Sequence, residues 1–89
     1  MNTESYINHP TFGMLFRICE LEGNQELFTT LYAQRLFFVV QQGATGMSFE
    51  SVTRMDARLK METRIRQVRR LGTAAELQTL QALYKRTFQ

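Results

Sequence analysis

The sequence predicts an α+β fold, in which a small antiparallel β-barrel or strongly bent sheet is followed by a C-terminal two-helix hairpin. Short segments rich in aromatic and β-branched residues, separated by turn residues, fill positions 1–53. From position 54 onward, apolar residues recur with the spacing of a helix. The 89 residues therefore divide into a β-domain, 1–53, and a helical part, 54–89.

Four strands are predicted in the β-domain, because each combines β-favouring residues with flanking turn signals. They are Phe16 to Cys19, Leu27 to Tyr32, Arg35 to Val40 and Met47 to Glu50, with turns at Gly23-Asn24 and from Gln41 to Gly46. A helix competes for residues 27–40, but the paired threonines and consecutive phenylalanines in this stretch favour strands.

The central strand is predicted to leave an apolar patch. Phe37 and Phe38 are adjacent, so their side chains must face opposite sides of the sheet. Two alternating sets result: Phe28, Thr30, Tyr32, Gln34, Leu36 and Phe38 in one, and Leu27, Leu31, Phe37 and Val39 in the other. Whichever set faces outward is expected to form a patch that either binds a partner or lies beneath the helices.

The helical part is predicted to form two helices, at about 54–71 and 74–88. Thr53 is the expected N-cap of the first helix, and Thr73 with Glu76 forms a capping box for the second. Gly72 is expected to end the first helix in the left-handed conformation. The apolar stripes are Ala57, Met61, Ile65 and Val68 in the first helix and Leu77, Leu80, Tyr84 and Phe88 in the second. So short a connection makes the helices antiparallel neighbours, or sends them apart if it straightens.

The charge of the chain is divided along the same boundary. The β-domain carries a net charge of −3, from two basic and five acidic side chains, whereas the helical part carries +6, from nine basic and three acidic side chains. The segment Arg64 to Arg70, RIRQVRR, could neutralise phosphates, so a small nucleic-acid-binding module is the alternative function. Arginines on a solvated helix are ordinary surface, however, and no helix-turn-helix or zinc-finger spacing accompanies them.

The composition argues against an enzyme and against a membrane protein. One histidine, His9, and one cysteine, Cys19, cannot complete a metal site, and no phosphate-binding loop is present, so no catalytic residue, cofactor or metal is predicted. His9 is expected in a turn and Cys19 in the core. The longest apolar run, Leu36 to Val40, is too short to span a membrane, and no secretory signal is recognised, so a cytoplasmic location is predicted.

Several segments resemble those of one family. The run Asn24 to Phe38, NQELFTTLYAQRLFF, the segment Asn8 to Gly13, NHPTFG, and the helical sequences ARLKMETRIRQVRR and LYKRTFQ are similar to the PipX family of small cyanobacterial PII-interacting proteins. The resemblance covers the whole chain, and a run of fifteen residues is highly specific. It implies an N-terminal Tudor-like β-domain followed by two helices, in agreement with the division above.

The resemblance also implies a function. Members of this family bind two proteins in alternation through overlapping parts of the Tudor-like domain. One is the PII trimer, at low 2-oxoglutarate, and the other is the NtcA dimer, a DNA-binding regulator that they coactivate at high 2-oxoglutarate. The expected protein is a non-enzymatic adaptor and transcriptional coactivator in nitrogen regulation, a monomer when free, without direct binding to nucleic acid. Its C-terminal helices are expected to rearrange in the PII complex and to bind PlmA and RNA polymerase.

The same resemblance predicts the partner-binding residues. Tyr32 and Arg35 are expected to contact both partners. The set is completed by Glu4, Tyr6, Phe12, Gln34, Leu36 and Phe38, which occupy matching positions and suit an apolar patch with a polar rim. Arg17 and the arginines of the helices are further candidates.

Overall fold

The computed structural model of the protein describes residues 6–30 and 36–89. Within these two ranges, five strands form one antiparallel sheet in chain order, and two helices follow. The strands are β1 (Tyr6–His9), β2 (Gly13–Glu20), β3 (Gln25–Thr30), β4 (Phe37–Gly43) and β5 (Gly46–Val52), and the helices are α1 (Arg54–Leu71) and α2 (Ala74–Phe88). The sheet bends into a half-barrel, so the predicted α+β fold, a Tudor-like β-unit with a helical hairpin, is confirmed.

The turns of the sheet agree with the prediction at one position and differ at another. Gly23 adopts a φ of +70° between β2 and β3, as expected for the Gly23-Asn24 turn. The predicted turn from Gln41 to Gly46 is shorter in the structure, because Gln41 and Gln42 continue β4 and pair with β5. Their polar side chains are exposed, and strand pairing uses only the backbone, so polarity alone does not end the strand.

One strand, β1, is absent from the sequence prediction. It has only four residues and lies at the edge of the sheet, where too few side chains are buried to create a clear alternation. Two strand ends that were predicted, at Tyr32 and Arg35, lie outside the described residues. Among the described residues, β3 ends at Thr30 and β4 begins at Phe37.

Apolar side chains cover both faces of the sheet, in two clusters. The helix-side cluster lies between the sheet and the helices and contains Ile18, Cys19, Leu27, Phe37, Val39, Ala57, Met61, Ile65 and Phe88. The far-side cluster lies on the other face and contains Leu15, Phe28, Phe38 and Val40, with Ile7 and Phe49 packed against it. The core of this small protein is therefore built on the two sides of one bent sheet.

Phe37 and Phe38 face opposite sides of the sheet as predicted, yet both are buried. Of the two outcomes left open for these alternating sets, cover by the helices holds on the face of Phe37, whereas an open patch at Phe38 is not found. The helical hairpin covers the face that contains Phe37. The bend of the sheet brings Ile7 and Phe49, from its first and last strands, over the face that contains Phe38.

Both helices begin and end where their local signals predict. The Thr53 side chain accepts a hydrogen bond from the backbone N–H of Asp56. Thr73 and Glu76 form the complete capping box, with donor–acceptor distances of 2.9 and 3.1 Å. The predicted stripe of α1 is buried at every position: Ala57, Met61, Ile65 and Val68.

Gly72 ends α1, but the predicted left-handed conformation is wrong. Its φ is −101° and its ψ is −165°, an extended backbone, while its N–H donates to the carbonyl of Val68. The reason for glycine here is space. A Cβ atom at this position would lie 2.7 Å from Oε1 of Glu76 and 2.8 Å from Cγ1 of Val68.

The helices form a packed antiparallel hairpin, which was one of the two arrangements left open by the sequence. Arg58 of α1 donates from Nε to the hydroxyl of Tyr84 on α2 at 2.9 Å, and that hydroxyl donates to Glu62. At the open end of the hairpin, the guanidinium of Arg54 lies 5.3 Å from the centre of the Phe88 ring. These contacts join the end of α2 to the start of α1.

Candidate partner-binding surface

The structure divides the predicted site residues into three groups: those outside the described residues, those that are exposed and one that is buried. Glu4, Tyr32, Gln34 and Arg35 lie outside the described residues. Tyr6, Phe12 and Leu36 are exposed, with 51%, 47% and 41% of their surface accessible. Phe38 is only 3% exposed and belongs to the far-side cluster, so the expectation that it forms part of an open patch is wrong.

Phe12 lies directly above the buried Phe38. Their ring centroids are 5.6 Å apart, and the rings are tilted by 41°. The Phe12 ring also lies 5.1 Å from the His9 ring. Phe12 therefore presents a large apolar surface to solvent while its inner side rests on aromatic side chains that are packed into the sheet.

Leu36 is fixed through its backbone. Its carbonyl oxygen accepts hydrogen bonds from the N–H of Thr30, at 3.2 Å, and from the hydroxyl of Thr29, at 2.8 Å. Thr29 is fully buried, so its hydroxyl anchors the start of β4 to the end of β3. The exposed Leu36 side chain is thus attached to a rigid part of the sheet.

Phe12 and Leu36 lie at the same end of the sheet. Phe12 comes just before β2, whose residue Leu15 pairs with Thr30 at the end of β3. Leu36 comes just before β4, whose first residue pairs with the same end of β3. The structure therefore brings these two exposed apolar side chains to one end of the β-unit.

The Tyr6 side chain lies on the helix side of the sheet. Its neighbour Ile7 packs on the far-side cluster, so alternation directs Tyr6 toward the helix side. Tyr6 pairs with Phe16 of β2, and their ring centroids are 6.0 Å apart. Met14, which is 36% exposed, lies on the same face, because it pairs with Asn8 and Asn8 is two residues after Tyr6 in β1. The described candidates thus extend around the β1–β2 hairpin and do not lie on one flat face.

Arg17 is engaged within the sheet. Its guanidinium lies 3.0 Å from a carboxylate oxygen of Glu26 and 3.5 Å from one of Glu20. The Arg17 side chain is largely covered, and its charge is balanced by these two neighbours. This arrangement leaves little free charge for a partner at this position.

The basic segment 64–70 presents three of its four arginines on one exposed side of α1, and the fourth lies apart from them. Ile65 and Val68 are both buried, Ile65 in the helix-side cluster, and Gln67 donates to Glu22 of the β2–β3 turn at 2.6 Å. Arg64 is half-buried and lines an apolar groove of about 580 Å³ between β2 and the hairpin. Arg66, Arg69 and Arg70 are exposed on the other side of α1, so Arg64 is separated from them.

Cys19 is a core residue, as predicted. It is buried in the helix-side cluster, and burial raises the pKa of its thiol to about 12 despite the nearby Arg64 and Arg17. The thiolate is therefore scarce at neutral pH, which makes this side chain unsuited to nucleophilic chemistry. Within residues 6–30 and 36–89, no three His, Cys, Asp or Glu side chains come together in a way that could hold a metal ion.

The sequence profile of PipX, described as PII-interacting protein X, matches residues 3–88. The chain belongs to the PipX family. A comparison with curated proteins finds no match. Its family relationship makes this PipX protein a PII-interacting protein, as the resemblance of its segments implies. Of the described parts of the chain, neither helix is both long and apolar enough to cross a membrane.

Two further residues beside the candidate surface, Met14 and His9, were not predicted from the sequence. Met14 carries no motif, and its exposure depends on the pairing of β1 with β2. His9 was expected in a turn, but it is the last residue of β1, and its side chain accepts two backbone hydrogen bonds from the turn that follows it. The proline at position 10 is a turn signal, but the aromatic contacts of the His9 ring can be seen only in the fold.

Proposed function

We propose that this PipX-family protein is a non-enzymatic adaptor and transcriptional coactivator in nitrogen regulation. It binds PII when 2-oxoglutarate is low and NtcA when 2-oxoglutarate is high. The β-domain, residues 1–53, carries both binding sites, and these overlap. The observation that supports this proposal most directly is the pair of exposed apolar side chains, Phe12 and Leu36, held at one end of the β-unit by buried partners.

The proposed binding surface consists of Tyr6, Phe12 and Leu36 together with Glu4, Tyr32, Gln34 and Arg35. Phe38 contributes from below, because it supports the Phe12 ring. Apolar anchors with rigid support favour binding, since little side-chain entropy is lost when a partner covers them. Tyrosine and arginine are frequent anchors of such interfaces, which agrees with the proposed roles of Tyr32 and Arg35.

A shared surface makes the two complexes mutually exclusive. The adaptor then needs no ligand site of its own, because 2-oxoglutarate acts on the affinities of PII and NtcA. A change of about 1.4 kcal/mol in the difference between the two binding free energies shifts the ratio of the complexes about tenfold. Modest ligand effects on the partners are therefore sufficient to move the adaptor from one to the other.

The helical part has a separate proposed role. Residues 54–89 carry a net charge of +6, whereas the β-domain carries −3, so the two parts favour different partners. We propose that PlmA and RNA polymerase bind to the helices, that the free protein is a monomer, and that it acts in the cytoplasm. Direct binding to nucleic acid is not part of the proposal, because the arginines of segment 64–70 are divided between two sides of α1.

Substitutions of the two exposed side chains test the surface. Phe12→Ala and Leu36→Ala are each expected to weaken binding to PII and to NtcA about tenfold or more, because each removes a large apolar anchor. Met47→Ala is the matched control: Met47 is 40% exposed, close to the value for Leu36, but it lies on β5 at the opposite end of the sheet, where it pairs with Gln42. Calorimetry with each purified partner is the measurement. Unchanged affinities for both Phe12→Ala and Leu36→Ala would contradict the assigned surface.

A further inference from the structure

The single histidine of the chain organises the turn between β1 and β2. The Nδ1 atom of His9 accepts hydrogen bonds from the backbone N–H of Thr11, at 3.0 Å, and of Phe12, at 3.2 Å. The side chain thus satisfies two backbone donors of the turn, in the way that a short Asx side chain would. One of these donors is the N–H of the exposed Phe12 itself.

The two hydrogen bonds accepted by Nδ1 determine which ring nitrogen of His9 carries the proton. A nitrogen that accepts cannot carry a proton, so Nδ1 is unprotonated and the proton of the neutral ring is on Nε2. The positively charged ring, which donates from both nitrogens, does not fit this turn. The neutral ring with its proton on Nε2 is therefore the form that the local backbone requires.

The His9 ring also links Phe12 to the interior. Its centroid lies 5.1 Å from those of Phe12 and Phe38 and 4.8 Å from that of Phe49. Phe38 is buried, and Phe49 packs on the far-side cluster. His9 thus holds Phe12 in two ways, through the Phe12 backbone N–H and through ring contact, while its own ring is held by β4 and β5.

We propose that His9 is a positioning residue of the partner-binding surface, which fixes the turn so that Phe12 is presented to PII. This inference rests on the proposed function, in which Phe12 is a contact residue. His9 acts through Phe12 and does not itself need to touch the partner. The acceptor atom carries the effect, so a side chain that keeps an acceptor at this place retains more of the function than one that keeps only the ring.

Three substitutions separate the acceptor from the ring. In His9→Asn, the amide oxygen replaces Nδ1 as the acceptor for the turn, whereas His9→Phe keeps a ring without an acceptor and His9→Ala lacks both. Two lost hydrogen bonds of ordinary strength correspond to about tenfold in affinity. We expect His9→Phe and His9→Ala to bind PII about tenfold more weakly, and His9→Asn to stay within about threefold of the unmodified protein. Affinity of His9→Phe equal to that of the unmodified protein would overturn the proposal.

A double-mutant cycle with Phe12→Ala distinguishes positioning from direct contact. If His9 acts through Phe12, His9→Ala should cost almost nothing once Phe12 has been removed. Additive losses in the double variant would show that His9 contacts the partner directly and would overturn the positioning role. Binding is compared only among variants whose circular dichroism spectra and unfolding midpoints show a folded chain. If His9→Ala unfolds, the comparison of His9→Phe with His9→Asn remains decisive, because only His9→Phe lacks the acceptor.

Hydrogen exchange in the free protein tests the role of His9 in the turn independently of the role of Phe12 in binding. The amides of Thr11 and Phe12 should exchange slowly in the unmodified protein and in His9→Asn, and clearly faster in His9→Phe, because only the last lacks the acceptor. Equal exchange in all three would overturn the positioning role whatever the binding data show. If instead the exchange pattern is as expected but Phe12→Ala binds PII normally, the proposed surface fails while the role of His9 in the turn stands.

Discussion

Phe88, the last residue of α2, stacks on Phe37, the first residue of β4, with ring centroids 5.4 Å apart and an angle of 22° between the planes. This contact attaches the end of the chain to the sheet. Phe88 and Thr87 are the buried residues of α2, whereas Leu77 and Leu80 are only partly covered. Helix α2 is therefore most deeply buried at its C-terminal end.

Removal of the Phe88 ring should destabilise the hairpin and the sheet together. Phe88→Ala is expected to lower the free energy of unfolding by about 3 kcal/mol, because a buried aromatic ring leaves a cavity beside Phe37. Urea unfolding followed by circular dichroism measures the change. Leu71→Ala is the control, since Leu71 is 82% exposed at the hairpin tip and its loss should have little effect. Equal effects of the two substitutions would contradict the anchoring role.

The contact between Tyr84 and Glu62 should be visible in an acid titration. The hydrogen bond from the Tyr84 hydroxyl, followed by that from Arg58, holds the pKa of the Glu62 carboxyl below its ordinary value of 4.5. Because the folded-state pKa is lowered, the stabilisation is present above the ordinary value and is lost as the pH falls through the folded-state pKa. Tyr84→Phe should thus raise the titration midpoint of Glu62, as measured by NMR of the carboxyl carbon.

Arg66→Ala provides the comparison for that titration. Arg66 also lowers the pKa of Glu62, but it is the smallest of the causes and acts only through its charge. Its removal should move the midpoint less than Tyr84→Phe does. A midpoint that is unchanged in Tyr84→Phe would show that the link between the helices does not persist in solution.

Cys19 should be almost unreactive until the protein unfolds. Since burial raises the pKa of its thiol to about 12, the reaction with a disulfide reagent at neutral pH should be about a hundredfold slower in the folded protein than in denaturant. The readout is the absorbance of the released thiolate. Rapid modification under native conditions would indicate that the sheet and the helices separate readily, because this thiol lies between them.

The raised pKa of the Cys19 thiol also implies that the folded protein becomes less stable at alkaline pH. The unfolded chain releases the Cys19 proton near the ordinary value of 9.0, whereas the folded chain retains it to about 12. The stabilisation is complete below pH 9.0 and declines as the pH rises toward 12. Cys19→Ala should therefore show a weaker decline in this range than the unmodified protein, in urea unfolding at a series of pH values.

Because side-chain atoms of Val68 and Glu76 lie close to Gly72, adding one methyl group at this position should destabilise the protein. Gly72→Ala places a Cβ atom against Oε1 of Glu76 and Cγ1 of Val68, so the capping box or the end of α1 must shift. The expected cost is about 1–3 kcal/mol of unfolding free energy. Gly23→Ala, where φ is +70° but nothing lies within 4 Å of the new atom, shows the cost of backbone strain without a clash. If Gly72→Ala unfolds at the same urea concentration as the unmodified protein, the close approach is relieved in solution.

The helices could be predicted from the sequence because their signals are local. Each helix begins at a capping threonine, Thr53 or Thr73, and α1 carries an apolar stripe from Ala57 to Val68. Both kinds of signal depend on residues no more than four positions apart. The conformation of Gly72 could not be predicted in this way, because the atoms that exclude a side chain there belong to Val68 and Glu76 in their folded positions.

The binding surface could be predicted only in part. Alternation correctly separates Phe37 from Phe38, but it does not reveal that a bent sheet buries both. The burial of Phe38 results from the approach of β1 and the following turn, which have few signals of their own. For the same reason the sequence does not reveal that His9 ends β1 or that its ring supports Phe12.

Competition between the two partners tests the central claim most directly. A complex of this protein with NtcA, formed with 2-oxoglutarate, is titrated with PII as 2-oxoglutarate is removed, and the species are followed by size-exclusion chromatography with light scattering. If both partners occupy one surface around Phe12 and Leu36, PII must displace NtcA, and no particle should contain all three proteins. A stable ternary complex, with both partners bound to one copy of the chain, would contradict the account.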